Sequence, residues 1–549
     1  MKPTPWTPWM LLTICAYMQP CLADEADVVI YGGTSAGVMA AVQVQRMGHS
    51  AILIEPGTHL GGLTSGGLGA TDIGNKRAIG GLSREFYRRV YQHYTQPSAW
   101  TWEHSENYRS DRQLSGEDTM WTFEPHVAEQ IMRSFVREAG VTLVEGERLD
   151  LQQGVVRDGT RIVGLRMESG RQFHGQRFID ATYEGDLMAG AGVSFHVGRE
   201  ASSVYDESLN GVRTDQAKYH QLQPNVDPYV TPRDPSSGLL PGIHADPPGV
   251  DGSGDQRVQA YCFRMCMTDR TENRIPWPKP ADYDPLRYEL LLRNFEAGET
   301  QIPWHPTPMP NRKTDTNNNK GFSTDNINQN YAWPTGDYAT REKIFAEHLS
   351  YQQGLMWTLA NHPRVPQTIR DEVSRWGSCR DEFPEHAGWS HQIYVREARR
   401  MVSDYVMTQH HCQGHRVAED SVGLAAYGMD SHHTQRYVDA SGHARNEGDV
   451  QVGGFTPYPI SYRSIVPRTT ECTNLLVPVC LSASHIAYGS IRMEPVFMVL
   501  GQSAATAACL SLDAQVDVQQ VAIPALQERL RSDGQILADT GTAAPGKLD

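Results

Sequence analysis

A short segment in the last third of the chain holds several side chains that can exchange protons. Tyr427, Asp430, His432 and His433 lie within seven consecutive residues. The unperturbed pKa of a histidine is about 6.5, a value that suits a general base, so His432 is a candidate base and Asp430 could orient its ring. We predict catalytic roles for Asp430 and His432. A hydrogen-bonded loop histidine without a catalytic role is the alternative.

A second histidine competes for the same role. His485, in the sequence Ser484-His485-Ile486, comes shortly before an apolar segment with a small-residue face. Either histidine could remove a proton from a hydroxyl or an amine. His432 and His485 are therefore both candidate bases.

Three arginines are spaced as a candidate anion-binding group. Arg396, Arg399 and Arg400 lie in the segment 394–407, whose apolar residues recur at helical spacing and predict a helix. A guanidinium can bind a carboxylate through two parallel hydrogen bonds, so Arg396 is a candidate substrate contact. An ion-paired or solvated helix face is the alternative.

The elements near the N-terminus follow a pattern typical of dinucleotide binding. Residues 28–31 predict a buried strand, a helix follows through Met47, and a second strand at 51–54 ends at Glu55. The helix N-terminus suits a pyrophosphate, and Glu55 suits a ribose 2′-hydroxyl. Thr34 stands where the strict motif has a glycine. The predicted cofactor contacts are Gly32, Gly33, Thr34, Ser35, Ala36, Gly37, Glu55 and Pro56.

Further elements follow this unit along the chain. A glycine-rich loop at 61–67 would let the backbone approach a cofactor closely. A helix is predicted at 124–139, a strand at 141–144, a hairpin over 154–178, and helices at 341–360 and 496–510. The predicted contacts in the loop are Gly61, Gly62, Leu63, Thr64, Gly66 and Gly67.

Composition indicates an acidic globular protein. The formal net charge is −15 and the pI is about 5.8, which disfavours nucleic acid and anionic membrane surfaces as partners. The expected partners are a small-molecule substrate and an electron acceptor of unknown identity. Lys2, an apolar stretch from Trp6 to Met18 and Ala23 predict a signal peptide at 1–23, cleavage after Ala23, and export. No membrane span is predicted.

The cysteines form no recognisable metal-binding motif. Seven remain after cleavage at Ala23 and no CxxC spacing occurs, so zinc and iron–sulfur sites lack support and no metal site is predicted. Cys262 and Cys266 are either a local disulfide or two buried thiols in a strand. A disulfide-reductase mechanism is disfavoured because no cysteine closely follows the nucleotide-binding pattern.

Eight stretches carry a more specific signal. They are YGGTSAG at 31–37, EPGTHLGGLTSGG at 55–67, FEPHVAEQ at 123–130, FIDATYEGDLMAGAG at 178–192, RDEF at 380–383, YVREARRM at 394–401, YGMDSH at 427–432, and ECTNLLVPVCLSASHIAYGSIRMEPVFMVLGQSAATAA at 471–508. Together they resemble the FAD-dependent oxidoreductase family (FAD_oxidored), some members of which are labelled xanthan lyase. The resemblance covers nearly the whole mature chain. Arg380 stands where a lysine is expected, which leaves the role of that position open.

The resemblance implies FAD as the cofactor, whereas the N-terminal pattern alone leaves NAD open. It also implies an α/β fold: a Rossmann-like FAD-binding domain of the two-dinucleotide-binding-domain flavoprotein type, with an inserted mixed α+β substrate domain. The expected division is a signal peptide at 1–23, the FAD-binding domain at 24–200 and 456–549, and the substrate or cap domain at 201–455.

The resemblance also implies roles for particular segments. The turn Asp180-Ala181-Thr182 is expected along the pyrophosphate and ribose, and the loop 61–67 beside the ribityl chain and ring. The helix near 496 is expected to direct its N-terminus at the flavin ring. Close helix packing is the alternative for its small residues. The predicted contacts there are Arg492, Met493, Glu494, Gly501, Gln502, Ser503, Ala504 and Ala505.

We therefore expect an exported FAD-dependent oxidoreductase. It would take a hydride from a C–OH or C–N bond of a small polar substrate, carbohydrate-related in our interpretation, to flavin N5. His432 or His485 would remove the accompanying proton. Two other classes stay open: an FAD-containing lyase or isomerase acting on a sugar without net redox, and a non-catalytic flavin-binding protein.

Overall fold

The computed structural model describes residues 24–113 and 116–539, so the predicted signal peptide lies outside the described residues. The strands are β1 (Asp24–Tyr31), β2 (Ala51–Glu55), β3 (Thr142–Glu145), β4 (Val155–Asp158), β5 (Arg161–Arg166), β6 (Gln172–Asp180), β7 (Phe195–Val197), β8 (Met265–Thr268), β9 (Arg274–Ile275), β10 (Trp304–Met309), β11 (Lys313–Asn318), β12 (Gly377–Cys379), β13 (Arg399–Met401), β14 (Ser421–Ala425), β15 (Met429–Ser431), β16 (Gln435–Val438), β17 (Ala444–Glu447), β18 (Val450–Val452), β19 (Tyr458–Ser461) and β20 (Leu475–Leu476). The helices are α1 (Ser35–Arg46), α2 (Gly81–Tyr94), α3 (Pro125–Ala139), α4 (Asp186–Gly190), α5 (Ser202–Tyr205), α6 (Glu289–Glu296), α7 (Tyr338–Asn361), α8 (Gln367–Arg375), α9 (Gln409–Cys412), α10 (His485–Ile491), α11 (Glu494–Asp513) and α12 (Ile523–Ser532).

A largely parallel sheet contains the N-terminal pattern. Its strand order is β3-β2-β1-β6-β5-β4, and β20 also pairs with β6. β1 runs parallel to β2 and β6, and β2 runs parallel to β3, whereas β4 and β5 are antiparallel. Residues 28–31 are fully buried between the layers, which explains their uninterrupted apolar sequence. The predicted strand–helix–strand unit, the helix at 124–139 and the hairpin are confirmed.

Helices α1 and α11 pack with their backbones in close contact. A Cβ atom at Gly501 would lie 2.2 Å from the carbonyl oxygen of Ala36, so only glycine permits this approach. By length and composition α11 could cross a membrane, but 89% of its most apolar window is buried inside the protein. It is a core helix that places its N-terminus beside that of α1.

The middle of the chain contains a second, antiparallel sheet. Its strand order is β10-β11-β8-β12-β9. Helices α6, α7 and α8 belong to the same part of the chain. The prediction of a helix at 341–360 is confirmed by α7. The β7–β13 and β14–β19 ribbons cross the predicted boundaries at 200 and 455, so this division of the chain stays a prediction.

The predicted helix at 394–407 is wrong. Residues 399–401 form β13, which pairs with β7, and the rest of the segment has no regular structure. Residues 394–401 are all buried, so the apolar residues of this part mark a buried segment rather than one face of a helix. The arginines are buried with carboxylates rather than solvated: Arg396–Asp325, Arg399–Asp186 and Arg400–Glu200.

The cysteines agree with one of the two alternatives that the sequence leaves open for Cys262 and Cys266, that of buried thiols. All seven in the described residues are buried free thiols, so Cys262 and Cys266 form no local disulfide. Cys266 lies in β8, whereas Cys262 precedes that strand and accepts a hydrogen bond at Sγ from Arg396. The side chains of Cys262 and Cys266 therefore lie in different surroundings.

Candidate active site

The glycine turn after β1 is closed by Thr34. Its hydroxyl accepts a hydrogen bond from the N–H of Gly37 (3.3 Å) and donates one to the carbonyl of Ala181 (2.7 Å). Gly32 has a φ of 103°, and a Cβ there would lie 2.9 Å from the nitrogen of Thr182. The residue that departs from the glycine motif therefore caps α1 and ties it to the turn after β6.

Glu55 is held at the end of β2 by two backbone donors. Its Oε2 accepts from Gly33 (2.6 Å) and its Oε1 from Gly57 (2.7 Å). Burial raises the pKa of Glu55 to about 7. Its location at the carboxyl end of the second strand is the position of the ribose-binding acid in dinucleotide folds.

The carboxylate of Glu494 joins three separate segments at the start of α11. It accepts hydrogen bonds from the hydroxyls of Ser35 (2.5 Å), Thr64 (2.8 Å) and Tyr183 (2.6 Å). Burial raises the pKa of Glu494, and its side chain is enclosed by these donors. Glu494 therefore organises the predicted cofactor segments and is fully engaged with protein.

Two further hydrogen bonds join the segments that meet at Glu494. The N–H of Gly61 donates to the carbonyl of Gly33 (2.8 Å), and the N–H of Leu63 donates to the Tyr183 hydroxyl (2.9 Å). The glycine turn, the loop 61–67, the turn after β6 and the start of α11 thus lie side by side. An extended dinucleotide needs its phosphate, ribose and ring contacts from adjacent segments, so the arrangement fits FAD. The individual FAD contacts, including those of Pro56, Ala36 and Met493, stay predictions.

The glycines of the loop 61–67 permit close approach by protein. A Cβ at Gly62 would lie 2.3 Å from the hydroxyl of Tyr183, and one at Gly67 would lie 2.4 Å from the carbonyl oxygen of Arg264. The second contact connects the loop directly to the segment that precedes β8. It brings the predicted flavin loop next to the polar cluster described below.

Asp180 shapes the turn after β6. Its Oδ1 accepts from the N–H of Thr182 (3.0 Å) and its Oδ2 from the N–H of Met188 (2.8 Å). Burial raises the pKa of Asp180 to about 6. Its side chain positions the backbone of Ala181 and Thr182.

Residues 501–505 have packing roles. Gln502 accepts from the N–H of Leu82 (2.8 Å), and Ser503 donates to the carbonyl of Val422 (2.6 Å). Ala504 and Ala505 are fully buried. The helix-packing alternative describes these residues, and contact of any of them with FAD stays a prediction.

His432 forms a buried pair with Asp325. The distance from its Nδ1 to Asp325 Oδ2 is 2.7 Å, whereas its Nε2 is 3.7 Å from Asp430 Oδ2. Burial opposes ionisation of Asp325, but Arg396 and His432 outweigh it and hold the pKa of this carboxyl well below its usual range. Asp325 rather than Asp430 is therefore the carboxylate that is hydrogen-bonded to the ring, and the role of Asp430 stays a prediction.

Three guanidinium groups surround the ring of Tyr394. Their distances to the ring centroid are 6.0, 4.5 and 5.6 Å for Arg264, Arg396 and Arg492. Arg492 donates to the Tyr394 hydroxyl (2.7 Å) and lies 3.3 Å from Asp430 Oδ2. Arg492 also stands two residues before the start of α11, so it links this polar cluster to the predicted cofactor segments.

The cluster retains hydrogen-bonding capacity. The Nε atoms of Arg396 and Arg492 donate to no acceptor within residues 24–113 and 116–539. Asp430 is 26% exposed, the largest value among the acids paired with these groups. Burial opposes its ionisation, but His432 and Arg492 lower the pKa of Asp430 to about 2. An ionised acceptor therefore lies 3.7 Å from His432 Nε2, and unpartnered guanidinium donors belong to the same cluster.

His485 has no comparable opening. Its Nδ1 is 2.8 Å from Glu397 Oε2, its Nε2 is 3.0 Å from Ser431 Oγ, and it is 1% exposed. Both ring nitrogens are occupied by protein. The catalytic role of His485 stays a prediction, and its surroundings favour it less than those of His432.

Sequence reasoning missed three residues of this arrangement. Asp325 lies in a long irregular loop, and no local pattern marks it. Tyr394 was assigned to the apolar face of a helix that does not form. Tyr183 directly follows the predicted turn at 180–182, so extending that motif by one residue would have found it.

A cluster of metal-type ligands elsewhere already contains a cation. Glu124, His126 and Glu382 offer donor atoms within 4.8 Å of one another. The ammonium group of Lys313 lies 2.8 Å from Glu124 and 2.6 Å from Glu382. Because lysine supplies the positive charge there, we interpret this cluster as structural.

The chain shows partial likeness to several enzymes of solved structure. The chain is similar to the L-amino acid deaminase from Proteus vulgaris, with 16% identity over 33% of this chain and 53% of that one and a TM-score of 0.24. It is also similar to the L-proline dehydrogenase from P. horikoshii, with 15% identity over 33% and 59% and a TM-score of 0.23. Each match spans less than two thirds of the neighbour. No curated protein matches the chain.

The family comparison covers far more of the molecule. The family described as FAD dependent oxidoreductase matches residues 27–530. The match includes the glycine turn, Glu55, the turn after β6, the His432 segment and all of α11. FAD is therefore the cofactor, and the chain belongs to the FAD-dependent oxidoreductase family.

Proposed function

We propose that this enzyme oxidises a C–OH or C–N bond of a small polar substrate, with His432 as the general base. The observation that supports this most directly is the buried pair formed by His432 and Asp325. Since the carboxylate accepts from Nδ1–H, the Nε2 atom carries the lone pair that can take a proton. FAD, when bound, supplies the acceptor for the hydride that leaves the substrate carbon.

Asp325 prepares His432 for proton transfer in two ways. Its hydrogen bond selects the tautomer with a free Nε2 and fixes the ring plane. When His432 takes the substrate proton at Nε2, the ionised Asp325 stabilises the imidazolium that forms. Arg396 contributes indirectly, because its guanidinium lies 3.0 Å from Asp325 Oδ1 and keeps that group ionised. Arg396 is thus a positioning residue rather than the substrate clamp considered from the sequence.

Asp430 and Arg492 are the proposed substrate-binding groups. Asp430 can accept hydrogen bonds from substrate hydroxyl or amine groups, and the Nε–H of Arg492 can donate one. Asp430 lies 3.7 Å from His432 Nε2 and 3.3 Å from Arg492, which stands two residues before the start of α11. A polar substrate held there would present its hydroxyl or amine to the base.

The wider context of the reaction is also proposed. The sequence at 1–23 supports export and cleavage near Ala23. The cofactor stays bound in such a compartment, so an external acceptor must reoxidise it. The carbohydrate-related substrate inferred from the family resemblance is part of the same proposal.

An anaerobic reduction experiment tests this function. Purified FAD-loaded enzyme is mixed with single polyols, sugars, hydroxy acids or amino acids, and the flavin absorbance is followed. We expect one class to bleach the flavin in the wild type, and His432→Gln to slow that bleaching. The matched control is His433→Gln, which removes a neighbouring buried histidine whose Nε2 faces the His220 carbonyl at 3.1 Å.

Each contrary result has a distinct meaning. Turnover without bleaching would replace oxidation by a lyase or isomerase reaction. A protein with full FAD and no response to any class would favour flavin binding without catalysis. Equal rates for His432→Gln and His433→Gln would remove His432 from the proposal.

A further inference from the structure

Two cysteines in the antiparallel sheet face each other across neighbouring strands. The register pairs Thr268 with Gly377 and Met267 with Ser378. The next opposed pair in β8 and β12 is therefore Cys266 and Cys379. Their Sγ atoms lie 3.7 Å apart, although the residues are 113 positions apart in sequence.

The pair is buried, packed on two apolar side chains and close enough to Lys313 and Glu382 to interact with their charges. Cys266 and Cys379 are 1% and 0% exposed and pack with Met309 and Phe383. Cys262 and Cys480 differ, because Cys262 accepts a hydrogen bond from Arg396 and Cys480 contacts the carbonyl oxygens of residues 182 and 183. Cys266 and Cys379 have each other as sulfur partners.

We propose that Cys266 and Cys379 form a disulfide in the mature protein. Directly opposed residues in an antiparallel pair have Cα atoms roughly 4.5–5.5 Å apart, within the range of about 4.4–6.8 Å that disulfides require. Closing the bond requires the sulfurs to approach to about 2.05 Å, which small changes in the two side-chain torsions can provide. The backbone register is already correct.

The oxidation proceeds by thiol–disulfide exchange with a small-molecule or protein disulfide. The thiolate of one cysteine attacks that disulfide, forms a mixed disulfide and releases one thiol. The thiolate of the second cysteine then attacks the mixed disulfide, closes the Cys266–Cys379 bond and releases the second thiol. Two electrons pass to the external disulfide, and the two protons end on its thiols. Because both sulfurs are buried in the fold, exchange occurs before the sheet is fully packed.

The link would tie together the two segments that lead to the polar cluster. Arg264 precedes Cys266 by two residues, and the chain from Cys379 continues to Tyr394 and Arg396. A cross-link between β8 and β12 restricts the unfolded chain across a long loop, which favours the folded state. The disulfide would stabilise the packing of these two segments without contacting His432, the proposed base.

Peptide mapping of the exported protein tests the proposal. The full chain is produced with export to an oxidising compartment, denatured in alkylating reagent with and without prior reduction, and digested. We expect two fewer alkylated cysteines without reduction, and a linked peptide pair containing Cys266 and Cys379. In parallel, the chain is refolded with oxidised and reduced glutathione, so that a failure of export does not decide the result. Absence of the linked pair in both preparations, or a link between other cysteines, would overturn the proposal.

Thermal unfolding with and without reductant provides the second measurement. Reduction should lower the unfolding midpoint of the wild type by roughly 5 °C. The double variant Cys266→Ala/Cys379→Ala should show no such response, whereas the control Cys509→Ala, a buried thiol in α11, should keep it. If the double variant does not fold, Cys266→Ser alone should expose Cys379 to alkylation without reduction. A reductant response that persists in the double variant would contradict the assignment.

Discussion

The regions around His432 and His485 both pair a buried histidine with a buried carboxylate, but only one leaves a ring nitrogen open. His432 donates to Asp325, and its second nitrogen is 3.7 Å from Asp430. His485 contacts Glu397 through one nitrogen and Ser431 through the other. The same side-chain chemistry is thus compatible with a base in one region and a structural link in the other.

The difference shows that a histidine–carboxylate pair does not by itself identify a base. A general base needs a free lone pair within reach of the substrate. At His485 the second ring nitrogen is hydrogen-bonded to the hydroxyl of Ser431, and α10 begins at His485. At His432 the corresponding nitrogen faces Asp430, a partly exposed acid that is paired with Arg492. The two histidines therefore differ in whether hydrogen bonds within the protein already occupy both ring nitrogens.

The largest expected effect is on the chemistry of His432. Replacing it with glutamine should lower the rate of flavin reduction by about 10³-fold, because general base catalysis contributes roughly 10²–10⁴-fold. Anaerobic stopped-flow absorbance measures the rate, and the FAD content and near-UV circular dichroism should match the wild type. A change of less than threefold would mean that His432 is not the base.

A smaller loss is expected when its orienting partner is neutralised. Asp325→Asn should reduce kcat/KM by about 10²-fold, since the imidazolium loses its stabilising charge and the tautomer is less restricted. Asp430→Asn should act mainly on KM, because we place this residue on the substrate. Steady-state kinetics of the two variants separate an effect on kcat from an effect on KM. If Asp430→Asn gave the greater loss in kcat, Asp430 would be the orienting acid.

Replacing His485 should change stability more than catalysis. His485→Ala should lower the free energy of unfolding by about 3 kcal/mol, because it leaves the buried carboxylate of Glu397 without one of its partners. The folded fraction should keep a flavin-reduction rate within about tenfold of wild type. His485→Asn, whose amide can replace Nδ1–H, is the control and should lose less stability. A catalytic loss as large as that of His432→Gln would restore His485 as a base.

The smallest effect is expected when the hydroxyl of Ser431, which is hydrogen-bonded to His485, is removed. Ser431→Ala should cost about 1 kcal/mol of unfolding free energy, the net value of one hydrogen bond. Activity should stay close to wild type in the same assay. Chemical denaturation measures the stability change. A marked gain or loss of activity would show that Ser431 and His485 act on the substrate side.

Local sequence patterns were sufficient for much of the framework. The strand–helix–strand unit at 28–55, α3, α7 and α11 each carry a continuous period, a turn or a cap within a few residues. The prediction at 394–407 failed because periodicity records which residues are buried and does not distinguish an enclosed irregular segment from one face of a helix.

The pairing of the candidate site residues required the folded chain. Glu494 and Ser35 are 459 positions apart, and His432 and Asp325 are 107 positions apart, so no window of sequence contains either contact. The sequence indicated FAD through its resemblance to a family, and its residue types indicated two possible bases. The choice between His432 and His485 depended on which ring nitrogen the surrounding loops and helices leave free, a property set by long-range packing and hydrogen bonding.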